Sequence, residues 1–77
     1  MKLMQYDVLI YRDSDSGLYL AEVPDLSGCM SQGDTVEEAK VNIQEAIQSR
    51  LAAMHVLGQS IPEPSEHVLA TVKINVA

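Results

Sequence analysis

Seventeen consecutive residues constrain the fold of this chain more than any others. From Val23 to Ala39 it reads Val-Pro-Asp-Leu-Ser-Gly-Cys-Met-Ser-Gln-Gly-Asp-Thr-Val-Glu-Glu-Ala. Pro24 has no amide hydrogen to give to a sheet ladder, so a strand arriving at Val23 stops there. Pro24-Asp25 and Gly28 then mark a turn. Cys29 to Gln32, set between Gly28 and Gly33, reads as a very short strand. Asp34 or Thr35 caps a helix. Thr35 with Glu38 three residues on forms a capping box, and Asp34 with Glu37 is the alternative register. Glu37 and Glu38 also sit at the positive end of the helix dipole.

The flanking sequence supplies the other elements. Leu3 to Tyr11 alternates with period two. Met4, Tyr6, Val8 and Ile10 share one face, and Gln5, Asp7, Leu9 and Tyr11 share the other, so both faces of this strand are expected to be partly covered. Asp13-Ser14-Asp15-Ser16-Gly17 is a hairpin loop. Leu18 to Val23 is the returning strand, with Tyr19, Ala21 and Val23 on one face. The helix is predicted from Val36 to Leu57, with Val36, Ala39, Ile43, Ala46, Ile47, Met54 and Leu57 on one stripe. Gly58 stands where a C-terminal cap belongs. Pro62 and Pro64 hold an extended connector. Val68, Ala70, Val72, Ile74 and Val76 alternate cleanly and predict a last strand.

The order β-β-β-α-β is an α+β arrangement, expected to be a four-stranded mixed sheet with one long helix on one face. The last strand is expected to lie parallel to the first, through a right-handed crossover. With 77 residues the chain reads as one domain spanning 1–77. A domain this small buries only about 60–70% of its unfolded surface. With no Phe and no Trp, its core comes from Val, Ile, Leu, Ala and three Tyr. Association would add to so limited a core, and a homo-oligomer (dimer or tetramer) is expected.

The formal net charge is −6, and the basic residues Lys2, Arg12, Lys40, Arg50 and Lys73 are scattered. Nucleic-acid binding needs clustered cations to neutralise phosphates, so direct binding of DNA or RNA is not expected. Acidity on this scale suits a basic protein partner, and it also serves simple solubility. One cysteine makes no internal disulfide, which fits a cytoplasmic location. Met1-Lys2-Leu3-Met4 runs directly into a strand pattern without an apolar signal core, and no apolar run has the length of a membrane span.

The candidates for chemistry have simpler readings. Asp13, Asp15 and Gly17 have calcium-loop composition, but Gly17 and Glu22 fall at the wrong positions, which leaves a hairpin turn. Cys29 has no local base to activate it and reads as a small strand residue. His55 and His67 show no metal-ligand spacing with each other or with Cys29, and His55 suits the negative end of the helix. Asp7 stands where two-metal nucleases of the RNase H type hold a carboxylate. The predicted last strand carries no acid, and one carboxylate cannot clamp a metal pair. No phosphate loop, nucleophile elbow or dinucleotide fingerprint occurs. No catalytic residue, cofactor or metal is expected. Arg50 interrupts the apolar helix stripe, either to reach a partner's carboxylate or to lay its stem on the core edge with its head in water. Val41, Ala52 and Val56, on the outer helix face, are candidate contacts between copies.

With these residues in hand, the chain resembles the HicB-like antitoxin family over nearly its whole length. The resemblance rests on Tyr6-x-Val8-x-Ile10, the acidic hairpin Asp13 to Gly17, and Tyr19-x-Ala21-x-Val23-Pro24-Asp25-Leu26-Ser27-Gly28-Cys29. Gly33-Asp34-Thr35-x-Glu37-Glu38-Ala39, Asn42-Ile43, Glu45-Ala46-Ile47 and Ile61-Pro62-x-Pro64-Ser65 complete it. The family more often has Pro where Ser27 stands. The resemblance implies a fold like a cut-down RNase H without its catalytic carboxylates. It also implies a role, since members bind a small basic RNA-cleaving toxin called HicA and block it. Many members carry a helix-turn-helix or ribbon-helix-helix segment after this domain that binds operator DNA. Here Ala77 follows directly on the last predicted strand, so operator binding is not carried over.

The expected function is therefore that of an antitoxin of a type II toxin-antitoxin system, masking a HicA-type ribonuclease without catalysis. The alternative is an orphan HicB-like protein-binding or regulatory module without a toxin. Asp13, Asp15, Glu22, Asp25, Glu37 and Glu38 are the candidate partner-binding acids, chosen for expected exposure, with Arg50 beside them.

Overall fold

A computed structural model describes residues 3–77, so the N-terminal reading that includes Met1 and Lys2 lies outside the described residues. Among the described residues three strands are formed: β1 (Leu9–Arg12), β2 (Tyr19–Glu22) and β3 (Met30–Gly33). One helix, α1 (Val36–Val56), follows them. The sheet has the order β1-β2-β3 and is antiparallel throughout. The register sets Leu9 opposite Glu22 and Glu22 opposite Met30, with Tyr11 opposite Leu20 and Leu20 opposite Gln32.

The helix packs mainly on β3 and β2. Small residues make the close approach possible. Ala21 of β2 and Ala39 of α1 are both fully buried, and Val23, Leu26, Cys29 and Ile43 complete the core. Tyr6, Val8, Ile10, Tyr19, Ala46, Ile47 and Leu51 pack around it. Gly33 is buried where β3 hands over to the helix. A Cβ there would lie 2.6 Å from the Ala39 amide nitrogen, so only glycine lets the first helical turn pass so close to the strand.

The helix ends are set by local chemistry. Thr35 is the N-cap, and its Oγ1 accepts the Glu38 amide at 3.0 Å. Glu38 Oε1 accepts the Asp34 amide at 3.3 Å. At the other end Gly58 has φ +70°, and the Gly58 amide donates to His55 O and the Gln59 amide to Met54 O. That pair of bonds is a Schellman motif, which a Cβ at Gly58 would strain. The predicted stop is met within one residue.

Two expectations for the sheet are corrected. Leu3 to Val8 keeps the expected alternation, with Met4, Tyr6 and Val8 half-buried and Leu3, Gln5 and Asp7 exposed, but it joins no ladder. The cause is Pro24, because β2 ends at Glu22 and leaves no strand beside residues 3–8. The predicted fourth strand is not formed, so the sheet is neither four-stranded nor mixed. Val68, Val72, Ile74 and Val76 are 74–88% exposed. Among the described residues the hydrogen bonds of the C-terminal segment stop at His67. Alternation makes a segment competent to pair, but pairing also requires that the chain deliver it to a free edge.

Candidate functional site

One helix covers one face of a sheet, and here the other face is open. Alternation turns Ala21 and Val23 toward α1, which sends Leu20 and Glu22 outward. The register then assembles an outer face of Leu9 and Tyr11 from β1, Leu20 and Glu22 from β2, and Met30 and Gln32 from β3. Leu9, Tyr11 and Met30 are 39%, 40% and 52% exposed. On this face Glu22 stands between Leu9 and Met30 in the end row, with Tyr11, Leu20 and Gln32 in the next. The sequence reading did not single out Leu9, Tyr11, Leu20 or Met30. The signal was available, since β1 carries large apolar residues on both faces while the chain has one long helix to cover them.

Apart from Glu22, the acids predicted for partner binding divide between the two ends of the domain. Asp13 and Asp15 lie in the β1–β2 hairpin. Asp13 Oδ2 accepts Ser16 Oγ at 2.7 Å and the Ser16 amide at 3.2 Å. Those bonds hold its carboxyl below the ordinary carboxylate range. The Gly17 amide donates to Asp13 O at 2.8 Å and the Asp13 amide to Leu18 O at 2.8 Å, so the loop is a self-closed hairpin. Asp15 is exposed at its tip. Because Tyr19 pairs with both Arg12 and Gly33, the start of the helix lies at this same end. Glu37 and Glu38, in the first turn of α1, therefore share the end with Asp13 and Asp15. Glu22 is half-buried on the open face itself.

Asp25 belongs to the opposite end and is already engaged. In the turn after β2, Leu26 is the largest fully buried side chain, and it anchors the loop to the core. The Leu26 amide donates to Val23 O, the Cys29 amide to Leu26 O and the Val23 amide to Cys29 O. Asp25 then reaches the C-terminal connector. The Ser65 amide donates to Asp25 Oδ2 at 2.8 Å and Ser65 Oγ to Asp25 Oδ1 at 2.7 Å, and these bonds pull its carboxyl below the ordinary value. The His67 amide donates to Asp7 Oδ2 at 3.1 Å, and its Nδ1 lies 3.0 Å from the same oxygen. His67 Nε2 lies 3.3 Å from Asp25 Oδ1. The bond to Asp7, helped by the charge of Asp25, raises the imidazole above its usual value. On the inner side Tyr6 Oη donates to Pro62 O. Nothing local in the sequence announces this cluster, whose members come from positions 7, 25, 65 and 67.

Asp7, His67 and Ser65 have the composition of a hydrolytic triad without its wiring. Ser65 Oγ commits its proton to Asp25 and stands 3.5 Å from His67 Nε2, so the imidazole is not placed to take that proton. The cluster ties the chain together. Arg50 does the same from the helix, donating from Nη2 to Ser27 O at 2.9 Å. Cys29 is buried just before β3. Val41, Ala52 and Val56 are exposed on the outer side of α1. Among the described residues no group of three or more His, Cys, Asp or Glu side chains is arranged to hold a metal ion, and no helix is long and apolar enough to cross a membrane.

A sequence model described as the HicB-like antitoxin of a bacterial toxin-antitoxin system matches residues 6–75, which include all three strands, the helix and the connector. The chain belongs to the HicB-like antitoxin family. Its relatives include proteins named only as UPF0150. One from Thermoplasma acidophilum is 42% identical over 59 residues, covering 77% of this chain and 84% of the relative. One from Synechocystis is 48% identical over 48 residues, covering 62% and 68%. An uncharacterised 14.9 kDa protein of Haemophilus phage HP1 is 37% identical over 60 residues, and those residues make up 44% of it. The HicB-like unit thus occurs both nearly alone and within a chain more than half of which lies outside the match.

Proposed function

We propose that this HicB-like protein is an antitoxin that binds a small, basic HicA-type ribonuclease and masks its RNA-contacting surface, without catalysing any reaction itself. The observation that carries the reading is the open sheet face. Leu9, Tyr11, Leu20 and Met30 form an apolar patch beside Glu22, and Asp13, Asp15, Glu37 and Glu38 gather at one end of the domain. Tyrosine and methionine are favoured at the centres of interfaces, and charges at the rim steer encounter. The net charge of −6 gives the chain a field that attracts a cationic partner and repels nucleic acid. The sheet is read as the remnant of an RNase H-like sheet, and Asp7, just before β1, holds His67. In this reading the protein acts in the cytoplasm as a homo-oligomer and does not itself contact nucleic acid.

The test is co-expression with a short basic protein encoded beside it. The native chain is expected to co-purify with that protein and suppress its RNA cleavage. Replacing Tyr11 and Met30 together, Y11A with M30D, is expected to abolish both while the circular dichroism is unchanged, because both side chains lie outside the core. Separate elution of the native pair at micromolar concentration, with cleavage unaffected, rejects the antitoxin reading for that partner.

A further inference from the structure

The chain exposes more surface than its mass requires. A compact protein of 8.4 kDa exposes about 4,600 Å², whereas this chain exposes 6234 Å². Its radius of gyration is 14.9 Å, against about 11–12 Å for a compact chain of this length. The excess, about 1,600 Å² per chain and so about 3,200 Å² for a pair, is the scale on which obligate homodimer interfaces bury surface.

The C-terminal arm, residues 68–77, contributes to that excess. Its apolar side chains are almost wholly in solvent, as at Val72, 80% exposed, and Ile74, 74% exposed. It alternates as a strand that buries one face, and its nine residues from Val68 to Val76 reach about 30 Å when extended. It carries Lys73 and no acid, so it meets an otherwise anionic body without like-charge repulsion.

A matching receptor exists on the same molecule. Among the described residues no strand pairs with the outer edge of β1 or with the extended run from Leu3 to Val8. Between that run and α1 lies a groove of about 570 Å³, lined on one side by Met4, Val8 and Ile10 and on the other by Ile43, Ile47 and Leu51. A strand added beside β1 would close it. The arm of the same chain is held away from that edge. Ser65 is fixed to Asp25, beyond the end of β2, and His67 is fixed to Asp7 on the outer face.

We infer that the protein is a dimer in which each C-terminal arm pairs with the β1 edge of a second copy and lays Val68, Val72, Ile74 and Val76 over its groove. The exchange is reciprocal and closes on itself, so it pairs the β1 edge of each copy and does not build an open chain of molecules. It rests on the self-association proposed above and specifies how that association is made.

Sedimentation equilibrium of the full chain, with Val72→Asp and Ile74→Asp made separately and together, tests this. The native chain is expected at twice its chain mass. Each substitution is expected to weaken the dimer tenfold or more, since each removes a buried aliphatic side chain. In the native protein, mixed isotope labelling should give intermolecular contacts from the arm to Val8 and Ile47. A native chain sedimenting as a single copy overturns both the self-association and the exchange. A dimer insensitive to both substitutions, or one whose arm contacts are all intramolecular, keeps self-association and overturns the exchange.

Discussion

Asp25 and Ser65, forty residues apart in sequence, are joined by two hydrogen bonds, Ser65 N to Asp25 Oδ2 at 2.8 Å and Ser65 Oγ to Asp25 Oδ1 at 2.7 Å. The turn that separates β2 from β3 thereby fixes the point at which the C-terminal segment leaves the body. Asp25→Asn keeps the shape and removes the charge that accepts both bonds. It is expected to speed amide hydrogen exchange at Ser65 and His67 while leaving α1 protected. Unchanged protection at both amides would show that Pro62 and Pro64 alone set the connector.

His67 gives the same junction a pH dependence. Its pKa is raised in the folded chain, first by the hydrogen bond to Asp7 and then by the charge of Asp25, with desolvation opposing them. Its contribution to stability is therefore complete below the unfolded value of 6.5 and is lost as pH rises through the higher folded value. Asp25 runs the other way. Its pKa is lowered, so its contribution is present above 3.8 and lost as pH falls through the lower folded value. The junction is expected to be tightest between those limits. An NMR titration should place the His67 midpoint above 6.5, and Asp7→Asn should bring it down. A native midpoint at or below 6.5 contradicts the arrangement.

Leu26→Ala empties the one large side chain that is fully buried in the β2–β3 turn. The expected loss is about 2–5 kcal/mol, a large share of what a domain of this size has to spare. Urea unfolding measures it. A loss below about 1 kcal/mol would mean that the turn collapses onto the cavity.

Gly33→Ala forces a methyl against the Ala39 amide, 2.6 Å from where the Cβ would stand. Overpacking of this kind typically costs about 1–3 kcal/mol. Because the clash is with backbone, relief requires the start of α1 to move, and the Thr35–Glu38 cap should weaken with it. The Glu38 amide is expected to exchange faster in this variant than in the native chain.

Charge at the hairpin end should act on the rate of encounter rather than on the lifetime of a toxin complex. Asp15→Lys with Glu37→Lys alters two exposed acids outside the core. Association with a basic partner is expected to slow about tenfold or more at low salt and to converge with the native rate at high salt. Equal rates at low salt would move the contact away from that end.

The local elements were legible because their causes are local. Pro24 ends β2, Thr35 opens α1 with the hydroxyl that a helix start lacks, and Gly58 closes it by adopting a conformation other residues resist. The inward set Tyr19, Ala21 and Val23 followed from alternation alone. The sites were less legible. Asp25 was chosen as an exposed acid, and only its meeting with Ser65 and His67 shows that it is engaged within the chain. The open face of Leu9, Tyr11, Leu20 and Met30 needed the register of three strands before it existed as a surface.

The sequence by itself determined three strands, one capped helix, an anionic surface and an arm with the pattern of a strand, because propensity, capping and charge act over a few residues. Tertiary structure decided that this arm leaves the body instead of joining the sheet. Pairing depends on which edge a chain can reach, and that was set by contacts between positions 7, 25, 65 and 67, which no short stretch of sequence contains.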